Sequence, residues 1–234
     1  MKPALLFITG TDTGVGKTVF AVLLTQQLRA RGVRVAALKP LCSGGRGDAR
    51  AMHEAGGKVL PLDEVNPWHF RSALAPLLAA RLEKKRVRLG EVVAYIRHVA
   101  KRFEVVVVEG AGGLLSPLGE DFDSRDLIRA LAATPILICP NRLGAVNQVL
   151  LVVSALPAAT ARRTQIVLMS GARRGGASRT NAQLLREILG RGRVHEFPRL
   201  SHFPNPGAGF PPRQVHRRLA ALLAAAGRPQ ANSK

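Results

Sequence analysis

The stretch that most limits what this chain can become lies at its start. The apolar run Ala4-Leu5-Leu6-Phe7-Ile8 gives way to Thr9-Gly10-Thr11-Asp12-Thr13-Gly14-Val15-Gly16-Lys17-Thr18 and then to a helical pattern. Strand, glycine-rich turn and helix in direct succession make a cradle. The glycines let the backbone curl so that several N–H groups point inward, and the helix N-terminus adds positive potential. The occupant such a cradle suits is a chain of phosphates. Lys17 is placed to reach the outer phosphates and the Thr18 hydroxyl to hold Mg²⁺. One detail departs from the common motif: five residues, not four, separate Gly10 from Gly16, and Thr11 stands where the first glycine is expected.

The 234 residues suit one α/β domain, expected over 1–226, with a tail at 227–234 that frays. Hydrophobic residues make up 47% of the chain, which places it among globular proteins. No apolar run reaches the length of a membrane span, and the first residues lack a signal-peptide pattern. Cys42 and Cys139 are the two cysteines, so there is neither a disulfide framework nor a paired-cysteine metal site. A reducing cytoplasm is the expected setting, and no membrane partner is expected. The net charge of +20 is concentrated late: from Ala161 onwards there are 14 Lys and Arg against 2 Glu. These arginines lack the interleaved aromatics of a base-stacking surface, so specific nucleic-acid binding is not expected.

Residues 18–31 read as a helix with Val19, Val22, Leu23 and Leu28 on its apolar face, ended by Gly32. Residues 33–38 read as a strand that delivers Lys39-Pro40 into a loop reaching Gly45. Residues 48–55 suggest a short helix and 63–70 a loop; 72–82 and 89–103 suggest helices. The β-branched run 104–108 reads as a buried parallel strand ending in Glu109-Gly110-Ala111-Gly112-Gly113. Strands follow at 135–139, 165–169 and 194–197, and helices at 145–156, 181–189 and 213–226, with a loop at 201–212. This alternation implies a three-layer α/β fold of the P-loop NTPase-like kind, a parallel sheet flanked by helices on both faces.

Three charged residues stand out beyond the cradle. Lys39 follows a strand end, where α/β proteins place ligands. Glu109 closes an apolar strand, and a charge there is costly unless a cation compensates it; an acid at a neighbouring strand end commonly assists Mg²⁺ in this fold. Asp48, in a Gly-Asp turn, is a weaker candidate.

Taken together these residues resemble the dethiobiotin synthetase family. The resemblance rests on the cradle with its extra residue, Lys39-Pro40 with Ser43-Gly44, the segment Glu64-Val65-Asn66-Pro67-Trp68-His69-Phe70, the run Glu109 to Gly113, and Arg142-Leu143-Gly144-Ala145-Val146-Asn147. It implies a homodimeric ligase that takes 7,8-diaminopelargonate, CO2 and ATP with Mg²⁺. It also implies roles. Lys39 and Lys17 are catalytic. Thr13, Gly14, Val15, Gly16, Lys17, Thr18, Val19, Asp48, Glu109, Gly110, Ala111 and Gly112 bind the nucleotide. Thr18, Asp48 and Glu109 hold the metal. Thr11, Ser43, Gly144, Ala145 and Asn147 face the other substrate. Ser170-Gly171 and Phe197-Pro198-Arg199 stand where the family holds adenine. Several positions depart from the family pattern. The loop between Ser43 and Asp48 is short, and Leu77 replaces a histidine. Ser170 replaces an asparagine, and the acid expected a few positions beyond Arg199 is missing, with Ser201, His202 and Phe203 there instead. Relaxed or altered base preference is therefore expected. A cobyrinate-amidating ligase would need a glutaminase domain for which the chain is too short. A ParA-like or GTPase-like switch would need a second lysine just after Gly10 or an Asn-Lys-x-Asp motif, and this sequence has neither, while a homologue that binds nucleotide without ligase activity stays open.

Overall fold

A computed structural model of the chain describes residues 3–171, 176–198 and 213–226. The tail 227–234, the segment 201–212 and Arg199 lie outside the described residues. The chain opens with β1 (Ala4–Gly10) and α1 (Lys17–Ala30). It continues through β2 (Val35–Leu38), β3 (Leu41–Ser43), α2 (Gly47–Ala55), α3 (Leu62–Val65) and β4 (Trp68–Phe70). Next come α4 (Pro76–Leu82), α5 (Leu89–Ala100), β5 (Val105–Glu109), α6 (Ser124–Leu131) and β6 (Thr134–Asn141). The remainder runs α7 (Ala145–Ser154), α8 (Ala158–Arg163), β7 (Gln165–Ser170), α9 (Gly176–Leu189), β8 (Val194–Phe197) and α10 (Arg213–Ala225). Among these helices none is long and apolar enough to cross a membrane.

Six strands form one parallel sheet in the order β2-β5-β1-β6-β7-β8. From β1 the chain first builds outward on one side, to β2 and β5, and later on the other, to β6, β7 and β8. The order therefore reverses at β1, and the crevice beyond its carboxyl end is where an open α/β sheet binds ligands. The alternating side chains of the strands divide two cores. Ile136, Ile138 and Val167 join the large core beneath α1, whereas Leu137, Cys139, Ile166 and Leu168 meet Ala145 and Val149 of α7 and Leu185 of α9. Both faces are covered, so β5 reads Val-Val-Val-Val-Glu and every one of those residues is buried.

The main elements lie where periodicity places them, and the short ones do not. Strands β3 and β4 stand where loops are expected and pair in parallel with each other, away from the main sheet. Three residues carry no period to read, and pairing alone creates them. Asn66 bolts this pair to the end of β2: its buried amide donates to the Lys39 carbonyl at 2.8 Å and the Pro40 carbonyl at 3.3 Å. Helix α4 starts at Pro76 rather than near Ser72, with the proline at the first helical turn, where its missing N–H is no loss. Helix α6 has no counterpart in the sequence reading. A reciprocal cap supports its start, with Asp123 Oδ1 accepting from the Asp126 amide at 3.0 Å and Asp126 Oδ2 from the Asp123 amide at 3.2 Å.

On β8, the largely buried His195 places Nε2 2.9 Å from Gln165 Oε1 of β7. Burial first, then the charges of Arg186 and Arg218, pull its pKa from 6.5 down to about 4. The folded ring is neutral where the unfolded one would be charged. Stability from this source is complete above about pH 6.5 and is lost as pH falls towards 4. Melting temperatures measured across that window should fall more steeply for the wild type than for His195→Gln; parallel curves would contradict this account.

Candidate active site

The loop between β1 and α1 folds into the cradle its glycines anticipate. Gly14 and Gly16 take φ of 72° and 98°, and Gly16 caps α1 from the left-handed region, which only glycine enters at little cost. A side chain at Gly10 would meet Val15 Cγ2 at 2.7 Å. Lys17 arches back over the loop and donates to the Asp12 carbonyl at 2.6 Å. Burial, and next the charge of Lys39, draw the Lys17 pKa down to about 8. Two crowded ammonium groups facing one cavity are what an incoming polyanion relieves.

Strands β2, β5 and β1 are neighbours, so their carboxyl ends deliver Lys39, Glu109 and the cradle to one place. Thr18 Oγ1 donates to Glu109 Oε1 at 2.8 Å across 91 residues of sequence. Lys39 Nζ donates to the same oxygen at 2.7 Å and to the Gly110 carbonyl at 2.9 Å. Asp48 Oδ2, from α2, lies 3.5 Å from Lys39 Nζ. The Lys39 and Glu109 side chains are 4% and 0% exposed. Burial works against the Lys39 charge, but Glu109 and then Asp48 outweigh it and hold its pKa above the ordinary lysine value. Glu109 Oε2 is buried with no partner.

A cavity of about 740 Å³ opens over this cluster. Its lining unites Thr13, Gly14, Gly16, Lys17, Thr18, Val19, Lys39, Ser43, Asp48, Glu109, Ala111 and Gly112, all singled out in the sequence. Val15 is buried behind the cradle, and Gly110 turns its carbonyl to Lys39; neither lines the cavity. The Ser43 hydroxyl donates to the Leu74 carbonyl at 2.5 Å, which leaves it only its acceptor capacity towards a ligand.

Ser170, Gly171, Phe197 and Pro198 line a separate cavity of about 360 Å³ at the ends of β7 and β8. Asn141, Arg179, Glu196 and Arg218 share it, and the sequence reading missed all four. The Asn141 amide is committed: its nitrogen donates to the Ser178 carbonyl at 2.9 Å, and its oxygen accepts from Asn181 at 3.0 Å. Glu196 is paired with Arg186 at 3.2 Å. Thr11 faces a third cavity of about 370 Å³, with Leu115, Ser116 and Leu151. Gly144, Ala145 and Asn147 begin α7 and enter none of these three cavities within one chain. The Ala145 amide is spent on the Arg142 carbonyl at 3.1 Å, which removes one of the donors expected at that helix start.

A family model for an AAA domain matches residues 5–206. The ATP-dependent dethiobiotin synthetase of Anaeromyxobacter sp. (strain Fw109-5) is 44% identical over 167 residues, 70% of this chain and 75% of that protein. The one from Bacillus licheniformis is 35% identical over 190 residues, 79% and 81% of the two chains. The chain belongs to the dethiobiotin synthetase family. Solved structures add the fold of this family member. A ParA family ATPase from Chlorobium tepidum superposes with a TM-score of 0.55 at 13% identity, over 99% of this chain and 95% of that one. A putative plasmid partition protein from Borrelia burgdorferi, bound to AMPPNP, gives 0.58 at 11% identity, over 96% and 98%.

In this family member Lys39 has a structural task, the neutralisation of buried Glu109. Lys39→Ala would strand the Glu109 charge in the core. It should cost about 3–5 kcal/mol in urea unfolding. Lys39→Met combined with Glu109→Gln should recover most of that loss. A Lys39→Ala protein as stable as wild type would show that the pair carries no such strain.

Proposed function

We propose that this protein is an ATP-dependent cyclo-ligase of the cytoplasm that joins CO2 to 7,8-diaminopelargonate and closes the ring of dethiobiotin, with release of ADP and phosphate, in biotin biosynthesis. The observation that supports this best is the convergence of Lys17, Lys39, Thr18 and Glu109 at a glycine-lined cradle in a chain of this family. In the proposed reaction one amine captures CO2 as a carbamate. A carbamate oxygen takes the γ-phosphoryl group, which gives a mixed carbamic–phosphoric anhydride. The second amine attacks the carbamoyl carbon, and phosphate leaves. Charge spreads over the equatorial oxygens during phosphoryl transfer, so fixed positive groups matter more than covalent help. Lys17, Lys39 and the amides of the cradle supply them.

The residues fit Mg²⁺. Among the described residues no cluster of three or more His, Cys, Asp or Glu exists, but Glu109 offers a buried unpartnered Oε2, Thr18 bonds its other oxygen, and Asp48 lies on the far side of the shared Lys39 ammonium. So few hard oxygen donors suit an ion that keeps waters and phosphate oxygens among its ligands. Bound there, it would neutralise charge between the outer phosphates.

We assign the diamine to the side of Thr11 and Ser43, with the start of α7 contributed by a second copy of the chain. Leu115, Leu143 and Leu151 are 53%, 84% and 60% exposed around that region, an apolar face that a partner would cover. Light scattering should return a dimer mass, and Leu151→Glu should shift it towards monomer and lower turnover. A wild-type monomer would rule out this arrangement.

ADP release measured with and without diaminopelargonate and bicarbonate tests the ligase reading; release independent of the diamine would defeat it. The same assay with CTP or GTP replacing ATP probes the base cavity. A serine hydroxyl stands there in place of the family's asparagine amide, and the nearby Asn141 amide is already engaged. Appreciable turnover with a second nucleotide is expected, and strict ATP dependence would reject relaxed base preference.

A further inference from the structure

The run Leu114-Leu115-Ser116-Pro117 drew no attention in the sequence, since it lies past the glycines that mark the site. In the fold Ser116 borders both the large cavity over the cradle and the cavity that holds Thr11. We propose that Ser116 is a further substrate-contacting residue, one whose hydroxyl donates a hydrogen bond to the carbamate as that group lies between the diamine side and the γ-phosphate. The assignment rests on the ligase reading and adds a residue to it.

The geometry supports a pinned donor. Ser116 Oγ accepts from the Gly113 amide at 2.8 Å, and the Ser116 amide donates back to the Gly113 carbonyl at 3.3 Å. The oxygen is thus held in place through a lone pair, while its O–H has no acceptor among the described residues. A hydroxyl held in this way needs little reorganisation to meet an anion. Its position relative to the phosphate cradle is also set. Gly112 takes φ of 68°, and a Cβ built on it would lie 2.3 Å from Ser116 Oγ and 3.9 Å from Thr13 Oγ1. The glycine turn therefore rests directly on Ser116, and Thr13 lines the same cavity on the other flank of Gly112. On the other side, Gly113 packs towards the Thr11 carbonyl, 3.5 Å from its own Cβ position.

The reacting group has to occupy this seam. Its phosphate-accepting oxygen must reach the cavity of Lys17 and Thr13, while the alkyl chain and second amine lie on the Thr11 side. A carbamate carries a full negative charge, and a charge-assisted bond from a fixed hydroxyl is stronger than a neutral one.

Ser116→Ala and Ser116→Thr in the full chain test this, with diamine-dependent ADP release read beside affinity for a non-hydrolysable ATP analogue. Ser116→Ala should lower kcat/KM for the diamine about tenfold, equivalent to about 1.4 kcal/mol, with analogue affinity within about twofold of wild type. Ser116→Thr, which keeps the hydroxyl, should stay within about threefold. Unchanged kcat/KM in Ser116→Ala would overturn the assignment while the ligase reading stands. An equal loss of analogue affinity would overturn it too, because the residue would then only brace the loop. A wild-type protein with no diamine-dependent release would overturn both.

Discussion

A buried ion pair, Lys39 on Glu109 at 2.7 Å, is the interaction on which the rest of the site depends. Neither charge could be left alone at the end of an apolar strand, since each would face a desolvation cost that only the other offsets. The pair ties the carboxyl end of β2 to that of β5. Thr18 then hangs on the same Glu109 oxygen, which ties in the first turn of α1. Three elements far apart in sequence are locked by one carboxylate. The Lys39 ammonium also stands between Glu109 and Asp48 and serves as counter-charge to both.

That arrangement holds the groups of the site in place through contacts within the protein itself. The cradle is held by Lys17 on the Asp12 carbonyl, the strand ends by Lys39, and the small β3–β4 sheet by Asn66. Lys17 and Lys39 face one cavity, and burial first and then the Lys39 charge lower the Lys17 pKa. A phosphate chain entering the cavity meets donors already aimed and charges already crowded, the electrostatic preorganisation that phosphoryl transfer needs. The cavity at the ends of β7 and β8 is built differently. There the polar groups of Asn141 and Glu196 satisfy protein partners, and the cavity is assembled from β6, β7, β8, α9 and α10.

Local chemistry was written plainly enough to read. Gly14, Gly16, Lys17 and Thr18 lie within one turn of chain, and a cradle is a local structure, so its residues must be adjacent. The continuous apolar runs of β1, β5 and β6 announce strands buried on both faces, because a parallel sheet covered by helices leaves no polar side. Lys39 and Glu109 were legible one step less directly, as charges at the ends of such runs.

What the sequence by itself determined is therefore the cradle, the buried parallel strands and the family. The tertiary structure decided everything that needs a neighbour. The strand order sets β5 between β2 and β1 and so lets Lys39, Thr18 and Glu109 meet across 70 and 91 residues. The three-residue strands exist only because they pair. Asn141, Glu196 and Ser116 join cavities through contacts that carry no periodicity. Spacing along a chain encodes local geometry, whereas which strand ends lie side by side is settled by how the whole sheet buries its apolar faces.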